Sequence, residues 1–395
     1  MNITFLIGNG FDLNIGLHTT YLDFINEYKK LEPNPKALKR FHVHLQENMD
    51  LWANAEIALG KYTSQFERGQ AKEFADCHED INNQLGQYLA MESRRVSLSK
   101  HSDLVSQAFS NLTIPTMAHD FPGIERERFM KKYTSNDQQP TIYNFINYNY
   151  TRVLDDFLSI VKCPQKGHFW QKNTIGEICH VHGAINDGMI FGVNDESQIA
   201  KPDIFDDCKH GDIYRNLLIK QKANFSLKKG RDEKAAKLLQ DSDLIYIYGM
   251  SIGETDKLWW TRLCDWLRSG KYVIVQKHEM PTREKFPRRY LEIEQEVRGA
   301  ILKHSSFTET ERKETADRIH VTGENIFAAI NNIANVKSSY AESASCGPSC
   351  TSMCVDSCSG SCNGTCSGSC EDSCSGSSGA SCSGSSNGTD SSCGN

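Results

Sequence analysis

The sequence predicts an α/β protein with a Rossmann-like, mostly parallel sheet and helices on both faces of that sheet. The first observation behind this prediction is that short apolar, β-branched runs alternate with segments of helical periodicity along most of the chain. The second is that several of these runs end in glycine or polar residues, as strands do where they lead into helices. The predicted strands cover residues 2–7, 141–148, 177–182, 244–249, 271–276 and 318–321.

Helical periodicity appears in four stretches between and after these strands. Residues 21–28 and 258–267 place apolar side chains on one helix face, and residues 324–333 are expected to form a closing helix. Between about residues 35 and 110 glycines are few and charged residues are many. This composition predicts a helical insertion, which serves either as a lid or as a partner surface.

Charge and hydropathy exclude several classes of protein. The chain has 395 residues and a net charge of −6, of which Asp356, Glu371, Asp372 and Asp390 supply four negative charges near the C-terminus. The nearly balanced remainder argues against a nucleic-acid-binding protein, and the lysine-rich residues 220–237 are interpreted as a solvated helix face. No signal peptide and no apolar run of about 18 to 20 residues is found, which predicts a cytoplasmic protein without a membrane partner.

The C-terminal segment differs in composition from the rest of the chain. Residues 341–395 are almost entirely Ser, Gly and Cys, so we expect a folded domain over residues 1–340 and a disordered Cys/Ser/Gly-rich tail. Ten of the 15 cysteines lie in this tail, mostly at every fourth position. Three interpretations remain open: a low-complexity repeat, a soft-metal site of clustered thiolates, and a substrate for thioether crosslinking. The other five cysteines form no C-x-x-C pair, so no metal site is predicted in the folded domain.

The first strand is followed by the glycine turn Gly8-Asn9-Gly10. Gly8 and Gly10 match the first two glycines of a dinucleotide-binding turn, which let the backbone approach a pyrophosphate. Leu13 stands where the third glycine is required, and no acidic residue stands out about 20 positions later to bind a ribose. A standard dehydrogenase is therefore disfavoured. A hairpin turn explains the same segment equally well.

Polar residues also follow three of the later strands. Asn149 and Thr151 could face a ligand at the sheet edge, although Thr151 as the N-cap of the next helix is the favoured interpretation. His180 and His182 would lie on one face of a strand and flank one site, where they serve either proton transfer or structure. Asp256 is either a helix cap or a ribose contact.

Taken together, these segments resemble the abortive-infection AbiH family of bacterial phage-defence proteins. The matching segments span most of the folded domain and occur in the same order as the family's motifs. The tail lies outside this resemblance. The matching pieces are GNGFDLNIGLHTTY near the start, Trp52 and Glu56, YNYT at 148–151, HVHG with MIFGVND at 189–195, and YGMSIGETDKLWW from residue 248. The resemblance implies an antiviral role with a nucleotide-binding pocket.

The AbiH family is in turn similar to sirtuin-like NAD-binding folds, where a glycine turn, an asparagine and an HG histidine surround the nicotinamide ribose. This similarity implies NAD as the substrate, His182 as the general base and Asn149 as the residue that positions the ribose and the nucleophile. The reaction implied is hydrolysis of the nicotinamide glycosidic bond. The implied cofactor-binding residues are Gly8, Asn9, Gly10, Asp12, Thr151, His180, Gly249, Ser251 and Asp256.

Two other classes of function remain as alternatives. In the first, the pocket senses a nucleotide without turnover and the insertion couples occupancy to a partner. In the second, the chain chiefly carries its crosslinked or metal-binding tail. The partners expected from the sequence are a nucleotide and either a phage-derived trigger or a second copy of the chain.

Overall fold

Six strands form one sheet in which all neighbouring strands run parallel. The computed structural model describes residues 1–32, 36–134, 140–162 and 173–336. The predicted α/β class and its parallel sheet are confirmed, and the observed strand bounds differ from the predicted ones most at β3. The strands are β1 Asn2–Ile7, β2 Thr141–Asn147, β3 Asn173–His180, β4 Leu244–Tyr248, β5 Tyr272–Gln276 and β6 Ile319–Thr322.

The strand order is β3-β2-β1-β4-β5-β6, with β1 in the interior of the sheet. At the carboxyl end of β1, Ile7 is paired with Asn147 of β2 on one side and Tyr248 of β4 on the other. The chain first adds strands on the β2 side and later adds strands on the β4 side. The order therefore reverses between β1 and β4, where open α/β sheets bind their ligands.

Many helices lie between β1 and β2, and they include the predicted insertion. The insertion is helical as expected, and its helices continue to Thr134. The helices of this region are α1 Gly10–Ile15, α2 Tyr21–Tyr28, α3 Lys36–Glu47, α4 Met49–Trp52, α5 Ala55–Tyr62, α6 Ala71–Ser93, α7 Ser102–Ser110, α8 Ile114–Met117 and α9 Gly123–Thr134.

The remaining helices follow β2 and connect the later strands. They are α10 Val153–Lys162, α11 Gly211–Leu218, α12 Lys220–Leu227, α13 Arg231–Asp241, α14 Lys257–Leu267, α15 Pro287–Leu302 and α16 Glu309–Ala316. The predicted closing helix over 324–333 is wrong, because this segment contains only the short 3-10 turns Ala328–Ile330 and Ile333–Asn335. Asn332 adopts a left-handed conformation, with φ of 55°, which interrupts a helix.

The two faces of the sheet are covered by different sets of helices, as predicted. Ile3, Phe5 and Ile7 of β1 belong to a core that also contains buried residues of α7 and α10. Leu6 belongs to a second core with buried residues of α13, α14 and α15. Alternating side chains of one strand therefore hold helices on opposite faces.

The helices of the insertion bury a third core of their own. Its large buried side chains include Phe41 and Trp52, and it also takes in Phe24 of α2. Phe191 and Leu218, from the segment between β3 and α12, belong to the same core. The insertion is therefore packed against the chain that follows β3, which places it beside the carboxyl ends of the strands.

Two sequence predictions concern parts of the chain outside the described residues. The cysteine-rich tail and Cys163 both lie there. Within the described part of the chain, no helix has the length and apolar character needed to cross a bilayer.

The glycine turn after β1 packs directly on the loop after β4. Gly8 N–H donates to Tyr248 O at 2.9 Å, and Gly10 N–H donates to Gly249 O at 2.8 Å. A Cβ on Gly8 would lie 2.6 Å from the carbonyl oxygen of Gly249, and a Cβ on Gly10 would overlap the Gly249 backbone. Gly249 itself has φ of +64°. These glycines are required because two turns meet at the point where the strand order reverses.

We expect Gly10→Ala to lower the free energy of unfolding by about 2 kcal/mol or more, because the new methyl group must displace backbone. Gly299→Ala is the matched control, since Gly299 lies exposed in α15 with no atom near its would-be Cβ. The control should gain roughly 0.5–1 kcal/mol from helix propensity. Urea unfolding of both variants checks this, and equal effects of the two substitutions would contradict it.

Candidate functional site

A cavity of about 850 Å³ opens at the carboxyl ends of β1, β2 and β4. Its volume lies within the range of small-molecule sites. Every residue that the sequence assigned to the site lines this cavity except His180. The assigned residues that line the cavity are Gly8, Asn9, Gly10, Asp12, Asn149, Thr151, His182, Gly249, Ser251 and Asp256.

The glycine turn contributes to the cavity wall but differs from an open pyrophosphate cradle. The N–H groups of Gly8, Gly10 and Phe11 all donate to backbone carbonyls of the protein. The Asn9 side chain is held by Thr19, donating to its carbonyl at 3.0 Å and accepting from its hydroxyl at 2.6 Å. The contact between the two turns by itself requires these glycines, and their predicted role at a cofactor stays a prediction.

Asp12 is the buried carboxyl group at this end of the cavity. The Thr151 hydroxyl donates to Asp12 Oδ2 at 2.6 Å, and Asn149 Nδ2 donates to Gly8 O at 3.1 Å and lies 3.4 Å from Asp12 Oδ1. Burial raises the pKa of Asp12 to about 7, although the hydrogen bonds from Thr151 and Asn149 oppose the shift. The favoured interpretation of Thr151 as a helix cap is wrong, since α10 begins at Val153 and the hydroxyl is directed to Asp12.

His182 lies two residues beyond the end of β3 and lines the cavity. Its Nε2 is hydrogen-bonded to Asp256 Oδ1 at 2.7 Å. Its Nδ1 is buried and has no hydrogen-bond partner among the described residues. The ring of Tyr148 meets the imidazole edge to face, with centroids 5.6 Å apart. An imidazole fixed through one nitrogen keeps an unpaired site on the other nitrogen.

The structure does not bring the two histidines of the CHVHG motif to one site. His180 Nε2 is bonded to Asp155 at 2.7 Å, and its Nδ1 lies 3.3 Å from Asn149 O. The expected common face is wrong because β3 ends at His180 and the chain then turns at Gly183, which has φ of +74°. His180 therefore supports the backbone of Asn149 from outside the cavity.

Asp256 is part of a buried ionic network. Lys220 Nζ lies 3.2 Å from Asp256 Oδ1 and 2.8 Å from Glu56 Oε2. Tyr21 and Tyr150 donate their hydroxyls to Glu56 Oε1 at 3.0 and 3.2 Å. Asp256 makes no capping bond at the start of α14, so the interpretation as a simple helix cap is wrong.

The charges of this network stabilise one another. Burial alone would raise the pKa of Asp256, but Lys220 and His182 outweigh burial and hold that pKa below its usual range. Burial alone would lower the pKa of Lys220, but Asp256 and Glu56 outweigh it and raise the pKa. The carboxylate of Asp256 therefore stays ionised and fixes the orientation of His182.

Sequence reasoning did not find Lys220, although it noted Glu56. Residues 220–237 were interpreted as a solvated face, yet Lys220 is only 4% exposed. The buried residues of α12 are Lys220, Ala223 and Asn224, which share one helix face at spacings of three and four. A helix whose buried face is mostly polar gives no hydrophobic signal. Only the combination of helical spacing with chemistry-bearing residues could have indicated it.

We expect the stability of the protein to respond to the titration of Asp12. Between pH 4 and 7 the folded state keeps the Asp12 proton while the unfolded chain loses it, so the free energy of unfolding falls as pH rises through this window. Asp12→Asn removes this contribution, which is at most about 4 kcal/mol. Between pH 4.5 and 7.5 the free energy of unfolding, measured with urea, should therefore fall more steeply for the wild type than for Asp12→Asn. Exposed Asp212→Asn is the control, and parallel pH curves for Asp12→Asn and wild type would contradict the expectation.

Comparison with known protein families finds a match over most of the folded chain. The family described as bacteriophage abortive infection AbiH matches residues 4–278, which include most of β1, all of β2 to β5, the insertion and every cavity residue named above. No curated protein and no solved structure matches the chain. The similarity to sirtuin-like folds stays a prediction. The match extends over more than half of the chain and assigns it an abortive-infection role in phage defence: the protein belongs to the AbiH family.

Proposed function

We propose that this AbiH-family protein binds NAD in the cavity and hydrolyses its nicotinamide glycosidic bond. The observation that carries the proposal is the position of the cavity at the reversal of strand order between β1 and β4. The strand order 3-2-1-4-5-6 is that of sheets that bind dinucleotides across this point. Depletion of NAD during infection would arrest growth of the host cell, as an abortive-infection protein requires.

His182 is the base of the proposed reaction. Asp256 accepts the hydrogen bond of Nε2, which leaves the lone pair on the buried Nδ1. An imidazole nitrogen with a lone pair held in this way is suited to act as a general base. In the proposed step Nδ1 takes a proton from the water that attacks C1′ of the nicotinamide ribose.

Asn149 is the residue that positions the ribose and the nucleophile. Its side-chain NH2 group is occupied by Gly8 O and Asp12, which fixes the plane of the carboxamide. The carboxamide oxygen has no partner among the described residues and can accept a hydrogen bond from a ligand hydroxyl. Fixed orientation of this kind lowers the entropic part of the barrier.

The reaction balances without a further co-reactant. The bond between C1′ and the pyridinium nitrogen breaks with its electron pair going to nitrogen, so nicotinamide leaves as a neutral molecule. The water oxygen forms the new bond to C1′, and its proton goes to His182. The products are nicotinamide, ADP-ribose and one proton released to solvent.

We expect His182→Ala to lower the rate of NAD hydrolysis about 10²–10⁴-fold, because it removes the general base. Asn149→Ala should also lower kcat. His304→Asn is the control, since this histidine is similarly buried but does not line the cavity. Nicotinamide release from purified wild type and variants is the measurement.

Unchanged turnover in both His182→Ala and Asn149→Ala would contradict the assignments. Tight binding of intact NAD by the wild type without product would instead favour the nucleotide-sensing alternative. If the wild type neither binds nor hydrolyses NAD, then NAD is excluded as the ligand of this cavity.

A further inference from the structure

We propose that the cavity is electrically polar along its length and selects a ligand with a cationic group at one end and an anionic group at the other. The inner end is defined by Glu56, His182, Lys220 and Asp256, and the outer end by Lys277 and His278. The inference rests on the proposed function, which it deepens by assigning the direction of the nucleotide. The pyridinium ribose of NAD⁺ lies at the inner end and its phosphates lie towards the outer end.

The inner end carries a net negative charge. Glu56 and Asp256 are two carboxylates, and the ammonium of Lys220 lies between them at 2.8 and 3.2 Å. These two negative charges and one positive charge sum to −1. The side chains of Glu56 and Lys220 are 6% and 5% exposed, so water screens this charge weakly.

The neighbouring groups keep the inner end anionic. Burial first, and then the charge of Glu56, raises the pKa of Tyr21 and of Tyr150 well above the usual value, so both phenols stay neutral donors. Asp12 can add negative charge as it ionises near pH 7. Lys220 is the cation of this group, and both carboxylates already engage it. A cationic ligand group therefore completes the charge balance of the inner end.

The outer end carries the opposite charge. Lys277 and His278 follow β5 and are both exposed at the rim of the cavity. Among the described residues, Lys277 forms no ion pair, whereas the His278 imidazole lies 3.9 Å from Glu279. The N–H groups of Gly8, Gly10 and Phe11 are already used within the protein. The Lys277 ammonium is therefore available at this rim to bind phosphate.

The two ends differ in depth. The side chains of Glu56 and Lys220 are buried, whereas Lys277 and His278 are exposed where the chain leaves β5. A dinucleotide placed across the reversal point would have its pyridinium ribose at the buried inner end and its pyrophosphate towards the rim.

Oxidation state of the ligand tests the inner end directly, because NAD⁺ and NADH differ by the positive charge on the ring. The probes are the carbocyclic analogue of NAD⁺, which cannot form an oxocarbenium ion and so resists hydrolysis, and its reduced form. We expect the wild-type protein to bind the oxidised analogue about tenfold more tightly, as measured by isothermal titration calorimetry. Equal affinity for the two forms would overturn the inference while leaving nucleotide binding intact. Binding of neither form would instead reject the proposed function, and the inference with it.

Two pairs of variants test each end separately. Glu56→Gln neutralises the inner end and should reduce the preference for the oxidised form at least threefold, whereas Glu294→Gln should not, since Glu294 is equally buried in an ion pair outside the cavity. Lys277→Gln should lower the affinity for both forms of the analogue about equally, by roughly threefold to tenfold. The substitution of an exposed lysine, Lys313→Gln, should change neither affinity.

Equal loss of affinity for both forms in Glu56→Gln would show that Glu56 has a structural role, and would overturn the assignment of the inner end. An unchanged affinity in Lys277→Gln would overturn that of the outer end.

Discussion

The ammonium of Lys220 lies buried between the carboxylates of Glu56 and Asp256, and the rest of the site depends on this contact. Glu56 comes from the insertion, Lys220 from the start of α12 and Asp256 from the loop before α14. Loss of one partner from such a buried group leaves an uncompensated charge, which typically costs about 3–5 kcal/mol. Three segments distant in sequence are therefore held together at one edge of the sheet, and His182 is oriented by the same carboxylate.

The parallel sheet could be predicted from sequence because its strands are short apolar runs that end in glycine or polar residues. β1 and β5 show this pattern clearly, and both were placed within one residue. The end of β3 was misplaced, because Val181 continues the apolar pattern although the chain turns at Gly183. The segment after β6 was mistaken for a helix, since its apolar residues Phe327, Ile330 and Ile333 recur at helical spacing while Asn332 takes a left-handed conformation.

The site could be predicted only where its residues adjoin strand ends. Asn149, His182 and Asp256 follow β2, β3 and β4, and the topology brings them to one cavity. The pairing of His182 with Asp256 spans 74 positions and has no local signal in the sequence. Lys220 was not predicted, because its burial depends on two carboxylates from other segments. The glycines of the first turn were predicted from the close approach of a phosphate. Close contact between two turns requires glycine for the same steric reason, and the sequence alone does not distinguish the two causes.

The insertion acquires a chemical role from this arrangement, because Glu56 contributes to the charge next to His182 as well as to the helical layer. A ligand bound across the reversal of strand order would then contact the insertion at one end and the rim after β5 at the other. The most direct measurement is a crystal structure of the protein with the carbocyclic analogue of NAD⁺. The account predicts the nicotinamide ring and its cyclopentane beside His182 Nδ1 and the phosphates towards Lys277. Density for the analogue outside the cavity, or in the reverse direction within it, would contradict the account.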